Sequence, residues 1–176
     1  AEHRCVGTNA CKSKVIACAA GVNCTVLCDG KGACASTTVQ CPAAPYGCDV
    51  LCTGDDNGVC LALFVDASHS GFVNFECTST SIRCGKKATL LCPGFDRGHR
   101  KQGRNYVAVV LAAGYVGGGS CDARCVGTGS AEACAELEVF AGNHTAVSVA
   151  CVGDKSGLCE ELAVNVPTLG TSRALA

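Results

Sequence analysis

The chain has 176 residues and a formal net charge of −1. That balance argues against a general nucleic-acid binder or a polybasic membrane binder, and no apolar run reaches the roughly 18 residues that mark a transmembrane helix. Cysteine supplies 18 residues while Met and Trp are absent, so one domain with a thin core of Val, Ala, Leu and Cys, braced by disulfides, is expected.

The first element begins at Cys5, with Gly7 two residues on and Cys11 six residues on. Lys14–Cys18 alternates as a short strand with Ile16 and Cys18 on one face. The turn Ala19–Asn23 leads into a second strand, in which Cys24, Val26 and Cys28 face inward and Thr25 outward. Cys28 opens the next copy: Gly30, Cys34, strand Thr37–Cys41, turn Pro42–Gly47, then inward Cys48, Val50 and Cys52 with Asp49 outward. The third copy runs through Gly54, Cys60, strand Leu63–Ala67 and inward Val73, Phe75 and Cys77, with Asn74 outward. In the fourth, Ser79 takes the glycine's place; Cys84 and strand Ala88–Cys92 follow, and inward Cys121, Ala123 and Cys125 come only after a long interruption. The fifth reads Gly127, Cys134, Leu137–Ala141 and inward Val147, Val149 and Cys151; the sixth reads Gly153, Cys159 and Leu162–Val166.

The opening cysteines Cys5, Cys28, Cys52, Cys77, Cys125 and Cys151 recur at steps of 23, 24, 25, 48 and 26. Glycine two residues later predicts a turn with positive φ. Short strands at a fixed period imply an all-β fold: a parallel β-solenoid, a right-handed β-helix of about six coils of ~24 residues. It would form one domain, 1–176, with an insertion at 93–120. A small antiparallel sandwich is the alternative.

Cysteine co-occurrence suggests the pairing. Cys18 accompanies Cys24, Cys41 accompanies Cys48 and Cys92 accompanies Cys121; where Ala67 or Ala141 replaces the first, Val73 or Val147 replaces the second. A disulfide partner vanishes in step; a lone thiol has no reason to. The expected bonds are therefore Cys18–Cys24, Cys41–Cys48 and Cys92–Cys121. To these are added Cys5–Cys11, Cys28–Cys34, Cys52–Cys60, Cys77–Cys84, Cys125–Cys134 and Cys151–Cys159, which use every cysteine. Such a chain belongs in an oxidising compartment, secreted or extracellular. The sequons at Asn23 and Asn143 agree with a glycoprotein. The Ala-Glu start reads as a processed N-terminus.

The insertion is basic at first, with Arg97, Arg100, Lys101 and Arg104, and apolar afterwards, from Tyr106 to Tyr115. It reads either as an extra coil or flanking hairpin, or as a docking loop for a protein or an acidic glycan. No catalytic motif emerges. The histidines His3, His69, His99 and His144 lack metal-ligand spacing, Asp55-Asp56-Asn57-Gly58 is too little for a calcium loop, and no cofactor or metal is expected. The outward row Thr25, Asp49, Asn74, Asp122 and Ser148 reads as a hydrogen-bond ladder. The terminal coils have no evident capping helix, and bare coil edges invite stacking. The expected function is a secreted structural glycoprotein, a subunit of a fibril, wall or larger extracellular assembly packed end to end or laterally, and not an enzyme. The alternatives are a carbohydrate- or protein-binding module using 93–120, and a polysaccharide-degrading β-helix enzyme, for which no carboxylate or basic cluster is found.

Overall fold

A computed structural model describes residues 1–54, 58–79, 84–95, 119–127, 133–142, 144–153 and 159–165. Among the described residues, twelve strands alternate between two sheets. The longer strands are β1 (Glu2–Val6), β3 (Cys24–Asp29), β5 (Gly47–Thr53), β7 (Phe72–Ser79), β9 (Ser120–Gly127) and β11 (Ala146–Val152). The shorter ones are β2 (Val15–Ala17), β4 (Thr38–Gln40), β6 (Phe64–Asp66), β8 (Thr89–Leu91), β10 (Glu138–Phe140) and β12 (Ala163–Asn165). The odd strands form one six-stranded parallel sheet and the even strands another. Six rungs are thus joined by five turns of a β-solenoid, one fewer than the coil count read from the repeats, because the sixth copy only completes the last rung.

The register keeps each sequence column in line. Cys5, Cys28, Cys52, Cys77, Cys125 and Cys151 stack in one row. Ile16, Val39, Val65, Leu90, Val139 and Val164 stack in the facing sheet. Parallel in-register stacking gives each row the same surroundings in every coil, which is why the apolar alternation repeats. Side-chain volume varies within a row but is balanced between neighbours: Phe75, almost fully buried, stacks on Ala123.

The third side of each coil is a turn arm. Its backbone makes overlapping i+3→i bonds, Ala10 to Gly7, Lys12 to Asn9 and Lys14 to Cys11, while Asn9, Cys11 and Ser13 take φ near +56°. Cys34 and Ser36, Cys60 and Ala62, and Cys134 and Glu136 repeat the pattern. Left-handed backbone costs an L-residue about 1–2 kcal/mol. Bonds between coils offset the cost: Ser13 donates to Ala35, Ser36 to Leu61, Ala62 to Lys86 and Lys87 to Ala135. The turn glycines Gly7, Gly30 and Gly54 have φ of 105°, 107° and 151°.

Coil four slips by one residue. Cys34, Cys60 and Cys134 donate to Ala10, Ala33 and Cys84 respectively, whereas Gly85 donates to Val59. Gly85, not Cys84, therefore occupies the second cysteine column. The strand-end residue follows that column by seven positions in the other coils but follows Cys84 by eight (92 − 84), so the extra residue was visible in the spacing.

The nine disulfides are Cys5–Cys11, Cys18–Cys24, Cys28–Cys34, Cys41–Cys48, Cys52–Cys60, Cys77–Cys84, Cys92–Cys121, Cys125–Cys134 and Cys151–Cys159, and no cysteine is free. Most of the sulfur lies in the core itself, between the sheets and the turn arms. Nine such bonds suit an oxidising environment.

Candidate functional site

On the outer face of the odd-strand sheet, Glu2, Thr25, Asp49, Asn74, Asp122 and Ser148 stand in one line. Asn74 Nδ2 donates to Asp49 Oδ1 at 2.7 Å, one side-chain hydrogen bond between adjacent rungs in the middle of the line.

On the opposite sheet the outward residues Leu91 and Phe140 are buried, against the rule that alternate strand positions meet water. Phe95 lies beside Phe140 with ring centroids 5.5 Å apart. Phe95 belongs to the start of the insertion, whose base Cys92–Cys121 closes with a Cα–Cα distance of 5.6 Å. The insertion residues Arg97, Arg100, Lys101, Arg104, Tyr106 and Tyr115 lie outside the described residues, as do Asn143 and the Asp55-Asp56-Asn57 turn. Asn23 is exposed, and its Oδ1 accepts the Gly47 N–H at 3.3 Å, which leaves Nδ2, the atom a glycan would join, on the other side of the amide. In the other sequon, Thr145 Oγ1 donates to the Pro93 carbonyl.

Two trios of metal-type side chains come together: His3 with Cys18 and Cys24, and Cys28 with Cys52 and Cys60. All the cysteines involved are disulfide-bonded, so neither trio offers a thiolate, the form in which cysteine binds metal. Among the described residues no helix is long and apolar enough to cross a membrane.

The two end coils carry the remaining distinctive surface. Among the described residues, the exposed large hydrophobic side chains are Val6 (60%) and Val15 (65%) on the first coil, Val152 (48%) and Val164 (44%) on the last, and Val22 in the turn after β2. Inward rows that are buried along the solenoid reach water at the last coil, where Val147 and Val149 are half-buried and Cys151 is exposed.

Charge is sorted along the turn arms. In the three residues that follow the column position, the first arm carries Lys12 and Lys14, the second and third (Ala35–Thr37 and Leu61–Leu63) are uncharged, with Lys31 earlier in the second arm, and the last carries Glu160 and Glu161. Between them, Lys86 and Lys87 of the fourth arm each reach Glu136 of the fifth at 3.6 Å. Lys87, Glu136, Glu138, Glu161 and Ala163 line a shallow depression of about 320 Å³. Sequence reading by cysteine columns missed this sorting. Lining up the three residues after each column cysteine, with Gly85 in place of Cys84, would have shown it.

Comparison with known proteins finds no family model, no curated protein and no solved structure that matches this chain.

Proposed function

We propose that the protein is a secreted structural glycoprotein, a subunit of a fibril, wall or larger extracellular assembly. The observation that carries this reading is the placement of exposed apolar side chains: Val6 and Val15 on one end coil, Val152 and Val164 on the other. A parallel solenoid grows by adding rungs, and its end rungs present strand edges and open rows that another rung can continue. Nine disulfides support a life outside the reducing cytosol, and the exposed Asn23 sequon supports glycosylation.

The test is sedimentation velocity of the oxidised protein across a wide concentration range, with negative-stain imaging at the top of it. Concentration-dependent oligomers or filaments are expected. Dispersed single particles at every concentration would overturn the reading.

A second reading, a carbohydrate- or protein-binding module using residues 93–120, draws on the tether: Cys92–Cys121 and the Phe95–Phe140 contact anchor the base of the insertion to the solenoid. A glycan array comparing the native chain with one lacking the basic side chains Arg97, Arg100, Lys101 and Arg104 tests it.

A further inference from the structure

We infer that the partner at the last coil is the first coil of a second copy, docked head to tail so that every row of the solenoid continues, with the acidic and basic end arms setting its polarity. This rests on the assembly reading above and names its interface.

The register fixes what would meet what. Within the chain, each odd strand pairs with the next with no shift between columns. Adding β1 of a copy beside β11 in that register places Glu2 next to Ser148, His3 next to Val149, Cys5 next to Cys151 and Val6 next to Val152. Adding β2 beside β12 places Val15 next to Ala163 and Ile16 next to Val164. Exposed Val6 and Val15 thus fall on Val152 and Ala163, and exposed Val164 falls on Ile16, in a row that is apolar through the whole molecule. The strand edges gain main-chain partners at the usual rung spacing, about 4.8 Å.

The arms supply direction. In the same step, Lys12 and Lys14 of the copy come against Glu160 and Glu161. The molecule already contains this contact across one coil spacing: Lys87 and Glu136 follow the column position by two residues in adjacent coils, and their charged groups lie 3.6 Å apart. Glu161 stands at that same offset in the last coil, with Glu160 before it, and Lys12 and Lys14 flank it in the first. A head-to-head contact would set lysine against lysine, and a tail-to-tail contact glutamate against glutamate. Exposed ion pairs contribute little affinity, but like charges brought together are penalised and opposite charges speed encounter. The charges therefore choose orientation while apolar contact and strand pairing hold the joint. A head-to-tail joint that does not close on itself yields an open filament.

The experiment uses two double variants, Glu160→Lys with Glu161→Lys, and Lys12→Glu with Lys14→Glu. All four positions are exposed, and circular dichroism checks that each variant keeps the native fold. The first variant has two basic ends and the second has two acidic ends. Each alone is expected to need about tenfold more protein, or more, to assemble at low salt. An equimolar mixture is expected to assemble at native concentrations, because every joint in an alternating filament again pairs lysine with glutamate. Variants that assemble like the native chain, or a mixture that fails to recover, would overturn the head-to-tail joint and leave assembly itself standing. A native chain that never assembles would instead remove the reading beneath it.

Discussion

The disulfides offer a quantitative test of how the solenoid is stabilised. Cys52–Cys60 and Cys92–Cys121 have all four residues fully buried, so replacing either pair by alanine removes the same atoms from the same kind of site. They differ in the loop they close, with sequence separations of 8 and 29. On the chain-entropy model the shorter loop is worth about 2.5 kcal/mol and the longer about 3.6 kcal/mol at 25 °C, a difference of about 1.1 kcal/mol. For a chain of this size that difference corresponds to a melting temperature about 2–4 °C lower for C92A/C121A than for C52A/C60A. Calorimetry on the two double variants measures it, once peptide mapping without reduction shows the other eight bonds intact. Equal melting temperatures, or the reverse order, would refute the idea that these bonds act by restricting the unfolded chain. They would point instead to packing of the sulfur in the core as the main source of the stabilisation.

Three further substitutions probe the coil. Ala62 is exposed and held at φ 52°, so Ala62→Gly should stabilise by about 0.5–1 kcal/mol in urea unfolding once the added freedom of the unfolded chain is subtracted; a loss of stability would show that the left-handed arm is not strained there. A Cβ at Gly47 would lie 2.2 Å from the Phe72 carbonyl oxygen on the adjacent strand, so Gly47→Ala should cost about 1–3 kcal/mol or more, and a neutral result would contradict the β5–β7 register. Thr37 is fully buried and its hydroxyl donates to the Cys11 carbonyl at 2.6 Å; Thr37→Val should cost about 1 kcal/mol in the same assay, and no change would mean that this bond between coils contributes nothing net.

Much of the fold was legible because a parallel solenoid translates each residue's surroundings by one rung. Val26, Val50 and Phe75 share one fate, as do Thr25, Asp49 and Asn74, so a frame that sorts apolar from polar once must do so in every copy. The joint disappearance of cysteine at Ala67 and Val73, and again at Ala141 and Val147, follows from the same rule. The candidate interface was less legible. Reading columns of cysteine hid the sorting of lysine to one end arm and glutamate to the other.

By itself, then, the amino-acid order determined the period, the inward rows and the all-β parallel class, since these depend only on spacing along the chain and on which side chains avoid water. Tertiary structure alone decided the alternating left-handed arm and the burial of the outward Leu91 and Phe140. Each of these depends on hydrogen bonds or contacts between residues distant in sequence, and local spacing carries no record of them.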